Sequence, residues 1–533
     1  MGQPSVGTGL VRAAAVVAGL TLVARVVGFG RWLVFSKTVG DTCLGDVYTA
    51  ANQLPNVLFE VVAGGVLAGV VVPVVARQVG AGDRVAAGRT TSALLSWAIL
   101  LLTPAGLLVL LVAPVYGRVF VTPACAGGVD VAASLLVIFA PQVWLYGLAV
   151  VSAGVLQAHH RFVAAAVAPL VSSVVVIVAY LLAGAAVSAG PGQAARADVR
   201  LTPVAAVQVL GWGTTAGVLA LAVTTTVIMV RLGLRLRPTL RFDRDTGSVV
   251  RRIAVGSLIG LVAQQGAVLL MTWVARESAE PGAVTRLTWA TAIYLLPYAV
   301  LAAPLIQTVF PRMSVAAGES ESAGEDLLRR YGPPLIVLSA TGAAVLAVTA
   351  GPVARVFVLG PGSGDTAALG WPLLVLAPAV AGYALMIFAN RALLAAHAAR
   401  SAAVVTVVAW LVAAAGALTA RLLPSGWVVT GIGAAVSVGM VVGAGVGWAM
   451  VRRRRVGGGW AWRRPLAAGL SAVVVCAALG VVVVPLFGST GLVAALGGAL
   501  AGALIGVVVS LLLVRLVAPT AYAQARAVLT RRR

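Results

Sequence analysis

Two groups of polar residues lie close together in an otherwise apolar stretch. Arg25, Gly28, Phe29 and Trp32 share one face at helical spacing, with Arg31 about 120° around from Arg25. Tyr48, Asn52, Asn56 and Glu60 then fall at i, i+4, i+8 and i+12, a continuous polar stripe on a second helix. A charged side chain facing lipid at mid-depth costs at least ~2.5–3.5 kcal/mol on insertion scales. Such groups therefore face a wet cavity or pair with one another. Guanidinium groups lining a cavity suit an anionic substrate, phosphate above all, because their planar fork binds two oxygens at once. Arg25, Arg31, Asn52, Asn56 and Glu60 form the candidate substrate-binding set.

Each residue also has a plainer reading. Arg31 and Lys37 fit the outer end of the first span, with side chains reaching to the interface. Glu60 with an arginine would make a satisfied internal pair. Asp46 reads as an N-cap of the second helix, stabilised by its dipole. Pro55 withholds the hydrogen bond that the Ala51 carbonyl would accept and predicts a kink. Gln264 and Gln265, far along the chain, either line a cavity from its second half or hydrogen-bond across helices.

The elements that must position these groups are membrane helices. Of 533 residues, 61% are hydrophobic and 10% charged; soluble domains carry about 25% charged residues. Mean hydropathy is +1.04, and apolar segments of about 20 residues recur throughout. The spacing predicts about fourteen spans, near 10–36, 46–76, 91–113, 131–157, 162–187, 203–231, 250–275, 287–311, 333–351, 366–391, 401–422, 427–450, 466–486 and 489–516. The first is read as a retained helix rather than a signal peptide. The net charge of +23 does not indicate nucleic acid. Its arginines gather in alternate loops, at 77–89, 231–252, 312–330 and 452–464 and in the RRR tail, which places those loops and both termini in the cytoplasm. The loop at 231–252 has apolar residues between its bases. It reads equally as an amphipathic segment on the anionic inner leaflet and as a plain basic loop.

The chain repeats itself. Arg118 and Arg355, Pro141 and Pro378, Tyr146 and Tyr383, and His160 and His397 are each 237 residues apart, and Pro73 and Pro311 are 238 apart. The reading is an all-α polytopic membrane protein with two six-helix lobes in a parallel pseudo-repeat, plus two C-terminal helices. The N-lobe takes 1–233, a basic cytoplasmic linker 234–249, and the C-lobe 250–455. The last two helices and the basic tail take 456–533. Cys43, Cys125 and Cys476 are far apart, without metal-ligand or CxxC spacing. No nucleophile, metal or nucleotide motif is present, so no enzyme and no cofactor is expected.

Arg25-x-x-Gly28-Phe29-x-Arg31, Gly40, Asp46, Pro55-Asn56, Gly65 and Pro73 resemble the start of the MurJ (MviN) lipid II flippases of the MOP exporter superfamily. The stretch YLLPYAVLAAPLIQTVFPRMS (294–314) resembles that family's eighth helix. The resemblance implies an inner-membrane flippase moving the lipid-linked peptidoglycan precursor outward by alternating access, with a groove for the polyprenyl tail at the last two helices. It makes Gly28, Asp46, Pro55, Gly65 and Pro73 motif positions. The chain departs from the pattern at three places: Phe59, Gly64 and Ala292 stand where the family has Arg, Glu and Arg. Glu60, Arg276 and Arg286 are the candidates to compensate.

Three other readings stay open: a flippase for another polyprenyl-linked glycan, a MATE-like cation-coupled antiporter, and a transport-inactive partner of a cell-wall or division complex. The expected partners are lipid II or a related undecaprenyl-pyrophosphate glycolipid, anionic phospholipids at the basic loops, and cell-wall synthesis or division proteins. Energy would come from the membrane potential or a monovalent ion.

Overall fold

The computed structural model describes residues 6–61, 68–189, 194, 196, 198–242, 244–278, 280–319, 321–453 and 462–530. Gly64, Gly65, Arg454, Arg455 and the RRR tail lie outside the described residues. Among those described, the chain is helical and has no strand. It divides into two compact units, Met1–Leu261 and Val262–Arg533.

The first unit holds α1 (Val6–Thr38), α2 (Cys43–Leu58), α3 (Ala68–Gly80), α4 (Arg84–Phe120), α5 (Gly128–Phe139), α6 (Gln142–Ala158), α7 (Phe162–Ala189) and α8 (Val204–Val230). The boundary falls inside α9 (Arg244–Glu277). That helix begins inside the segment expected to be linker. The second unit continues with α10 (Ala283–Pro297), a π turn at Tyr298–Ala302, α11 (Ala303–Glu319), α12 (Glu321–Val358), α13 (Ala367–Ala395), α14 (Ala399–Thr419), α15 (Val428–Arg453), α16 (Arg463–Leu486), α17 (Leu492–Val517) and α18 (Pro519–Thr530).

Twelve helices among the described residues are long and apolar enough to cross a membrane. They match the expected spans in order from the third onward. The first expected span is α1. In the second, α2 gives way to a π turn at 59–61; residues 62–67 lie outside the described residues, and α3 is described from Ala68. Pro55 lies inside α2 and cannot donate to Ala51. Regular helix ends one turn later, as π insertions do where the ladder is disturbed.

Local chemistry starts α2 differently from the expectation for Asp46. The N-cap is Thr42, whose hydroxyl accepts from the Gly45 N–H at 3.2 Å and donates to the Val39 carbonyl at 3.1 Å. Asp46 lies inside the first turn and is 1% exposed. Its charge still complements the helix N-terminus, but the cap needs a short side chain one residue before the helix, where Thr42 stands.

In the first unit α1 packs on α7, α7 on α8, α6 on α3, α4 and α8, and α2 on α4 and α5. In the second, α13 packs on α12 and α15, α14 on α15, and α12 on α16 and α17. A Cβ on Gly439 would sit 2.5 Å from the Ala409 carbonyl oxygen, and one on Gly480 would sit 2.4 Å from that of Ala347. The missing side chains let α15 meet α14, and α16 meet α12, backbone to backbone.

Candidate functional site

The polar stripe of α2 runs from a dry end to a wet one. Tyr48 is 1% exposed. Its hydroxyl is hydrogen-bonded to the Tyr180 hydroxyl on α7 at 2.9 Å and to Thr214 Oγ1 on α8 at 2.9 Å. Thr214 in turn donates to the Leu210 carbonyl. The rings of Phe35, Phe139 and Tyr180 surround it, with centroids 5.0–5.9 Å apart. Tyr48 is thus the polar centre of a five-helix core rather than a cavity residue. One turn on, Asn52 is half-buried. Its backbone carbonyl accepts from Asn56 Nδ2 at 2.8 Å, while its side-chain Oδ1 is buried without a partner. Asn56 Oδ1 accepts from the Tyr146 hydroxyl on α6 at 3.1 Å. Tyr146 also lies against Phe59, ring centroids 4.4 Å apart. Glu60, at the far end, is exposed.

Arg31 on α1 faces the same neighbourhood. It is half-buried, and its guanidinium lies within electrostatic reach of Tyr48, Tyr146 and Tyr180. Its carbon Cζ sits 5.5 Å from the Trp32 ring centroid. Its Nε is buried with no acceptor. Trp32 itself packs edge-on against Phe35, so the aromatic core holds the stem of the arginine in place. Arg25, six residues earlier, is exposed on a different face, as the helical period requires. No ion pair joins Glu60 to Arg25 or Arg31 among the described residues.

α1 offers an unsatisfied N–H donor on Arg31, and α2 an unsatisfied amide oxygen acceptor on Asn52. A buried donor with no acceptor costs about 1–3 kcal/mol. An oxyanion would satisfy Arg31, and a substrate hydroxyl or amide would satisfy Asn52.

The remaining expectations separate. Gly28 faces α7, where a Cβ would meet Ser173 Oγ at 3.9 Å, an ordinary contact. Pro73 is exposed on α3. Gln264 is half-buried and Gln265 is 7% exposed, both on α9 in the second unit. The two arginines expected to compensate are engaged elsewhere. Arg276 pairs with Glu277. Arg286, 2% exposed, pairs with Glu280 at 3.0 Å. Arg421 joins Glu277 at 3.5 Å and covers the Trp273 ring at 4.6 Å. These charges brace the α9–α10 corner of the second unit. No cluster suited to a metal ion is present among the described residues.

Reading the sequence missed two features. Tyr146 meets Asn56, while Tyr180 and Thr214 hold the Tyr48 core beside it, and no local motif assigns them those partners. Cys43 and Cys125 form a disulfide across 82 residues, joining the start of α2 to the turn before α5. Cys476 is buried and free.

The family model described as lipid II flippase MurJ matches residues 35–496. A probable lipid II flippase MurJ of Rhizobium tropici is 27% identical over 312 residues, covering 57% of this chain and 55% of the relative. One from Rhizobium meliloti (strain 1021) is 28% identical over 363 residues, covering 65% and 63%. These matches span less than two thirds of either relative's length. Among solved structures, lipid II flippase MurJ in an inward closed conformation aligns with a TM-score of 0.68 at 16% identity, covering 94% of this chain and 98% of that one. An inward-facing multidrug resistance MATE family transporter of the MOP superfamily aligns at 0.61 and 16% identity, covering 83% and 98%. At that identity the structural matches establish a common fold.

Proposed function

The chain belongs to the lipid II flippase MurJ family, and from that premise we propose that it carries lipid II from the inner to the outer leaflet of the cytoplasmic membrane. Transport is the activity, with no chemical conversion of the substrate. The observation that carries this reading is Arg31: a membrane-embedded guanidinium whose Nε is buried without an acceptor, within electrostatic reach of Tyr146, whose hydroxyl donates to Asn56. A substrate pyrophosphate supplies the missing acceptor. Arg25 is exposed, carries no ion pair among the described residues and adds charge on the approach. Asn52, Asn56 and Glu60 orient or hydrate the polar end of the substrate, and Gln264 and Gln265 are further polar contacts for it.

The orientation places both termini and the basic loops in the cytoplasm. The disulfide supports it. Cys43 heads α2 and Cys125 lies in the turn before α5, both at ends that the charge rule puts outside, and disulfides persist in oxidising compartments. Outward movement of about two phosphate charges is favoured by an inside-negative potential, at ~2.3 kcal/mol per charge per 100 mV, so no dedicated ion site is required.

A cation-coupled antiporter is the competing class, because MATE transporters share the fold. Its cationic substrates call for carboxylates, whereas this site presents an unpaired guanidinium. The deciding experiment is rescue of a bacterial strain depleted of its lipid II flippase. Wild-type chain restores growth and outward lipid II movement. An inserted, folded protein that fails to restore either overturns the reading.

A further inference from the structure

The basic linker after α8 is held against α4 in register. A Cβ on Gly88 would lie 3.2 Å from the Arg235 carbonyl oxygen. Ser92 Oγ accepts from the Arg237 N–H at 3.0 Å, and Ser96 Oγ accepts from the Thr239 N–H at 3.2 Å. Trp97 Nε1 donates to the Leu240 carbonyl at 3.0 Å. The helix therefore advances four residues for every two of the strap. Four helical residues rise about 6 Å and two extended residues about 6.6 Å, so the two rows stay in step. The sequence of the strap carries the matching period of two. Leu232, Leu234, Leu236, Leu240 and Phe242 alternate with Arg235, Arg237 and Arg241. The three arginines are exposed.

Strap and helix flank an open, shallow groove of about 840 Å³ whose walls include Ile99, Leu100, Pro104, Pro238, Leu240 and Arg241. Ile99 is 62% and Leu100 49% exposed, on the lipid-facing side of a membrane helix. The groove thus joins an apolar wall to the cation of Arg241, with Arg237 and Arg235 following along the strap. That is the complement of an amphiphile with a phosphate head and a hydrocarbon tail.

We propose that this groove is a binding site for an anionic phospholipid of the inner leaflet. The phosphate lies at Arg241, and an acyl chain lies along Ile99, Leu100 and Pro104. The leaflet follows from the orientation proposed above; the binding itself does not depend on it. α4 is about 55 Å long. The strap engages its first turns, while the disulfide follows its other end. Arg241 therefore lies nearer the end of α4 away from the disulfide, and the apolar wall runs from there toward the middle of the helix.

The test is native mass spectrometry of the full chain in detergent, titrated with phosphatidylglycerol or phosphatidylcholine. Phosphatidylglycerol is expected to bind in preference. The triple variant R235Q/R237Q/R241Q is expected to weaken that binding at least fivefold, from about fivefold for the one arginine at the head group, Arg241. Leu100→Trp, which fills an exposed wall without touching the core, should weaken both lipids several-fold. Equal binding of the two lipids by the wild type overturns the proposal. So does a folded triple variant that keeps its preference, or phosphatidylglycerol that is displaced by a polyprenyl pyrophosphate at equal concentration. Flipping by the same variants is read separately, so loss of the lipid site and loss of transport are distinguishable.

Discussion

His160 and His397, 237 residues apart, end their helices with the same hydrogen-bonded turn. Each has φ of 57°, and they are the two non-glycine residues with positive φ among those described. The His160 N–H donates to the Gln157 carbonyl and the Arg161 N–H to that of Leu156, at 3.0 and 2.8 Å. The His397 N–H donates to the Leu394 carbonyl and the Ala398 N–H to that of Leu393, at 3.1 and 2.8 Å. This is the Schellman closure, which glycine usually provides because the left-handed region penalises a Cβ. The pairing of His160 with His397 in the sequence repeat thus extends to an uncommon backbone conformation. Pro141 and Pro378 also occupy corresponding spans, the former at the α5–α6 junction and the latter inside α13.

His160→Gly and His397→Gly should each raise stability by about 1 kcal/mol, since the left-handed conformation costs that order for residues other than glycine. Replacement by Val should lower it by a similar amount or more. Thermal unfolding of the detergent-solubilised protein reads both. A glycine variant less stable than wild type would show that the imidazole makes a contact worth more than the backbone strain.

Cys43→Ser should lower stability by about 2–4 kcal/mol, because the bridge closes a long loop in the unfolded chain. The double serine variant should match the single one. In intact cells a membrane-impermeant maleimide should label neither cysteine until a reductant is added, and then both. Labelling without reductant would remove the bridge. A cysteine placed at position 240 should stay unlabelled from outside, and its labelling would invert the proposed orientation.

Arg31→Ala should abolish flipping at normal membrane levels. Arg31→Lys should retain partial activity at best, because an ammonium keeps the charge and loses the planar fork. Exchanging charges through Arg25→Glu with Glu60→Arg should not restore function, since the two residues form no pair. Full complementation by the swap would convert Arg25 into a structural partner of Glu60.

Tyr146→Phe removes the donor to Asn56 and should reduce transport several-fold while costing only ~1 kcal/mol of stability. A Tyr48→Phe change should do the reverse. It strips a buried three-hydroxyl cluster and should cost about 1–3 kcal/mol, with transport per folded molecule preserved. Parallel measurement of melting and lipid II movement separates the two.

Gly439→Val should prevent stable insertion or lower stability by about 3 kcal/mol or more, since its side chain would meet the Ala409 carbonyl, which cannot move aside. Membrane-fraction yield and thermal unfolding report it. Normal yield and melting would show that α14 and α15 can separate freely.

What the sequence determined by itself are the properties carried by short windows of chain. The spans are legible because about 20 apolar residues need no distant partner to be recognised. The alternation of basic loops is an equally local signal, and the repeat at Arg118/Arg355 and Pro141/Pro378 is legible because it compares two windows at one constant offset. So is the expense of Arg25, Arg31 and Glu60 in a membrane. Tertiary structure alone decided which of these groups meet. Tyr146 reaches Asn56 across 90 residues, and Tyr48 reaches Thr214 across 166. No window contains both partners, so the same stripe on α2 holds a core tyrosine at one end and an exposed carboxylate at the other. Cys43 and Cys125 carried no spacing signal, because the bridge depends on two loops reaching the same end of the bundle. The linker lay between. Its period of two was written in the sequence, but only the serines of α4, spaced at the pitch of a helix, turned it into a strap.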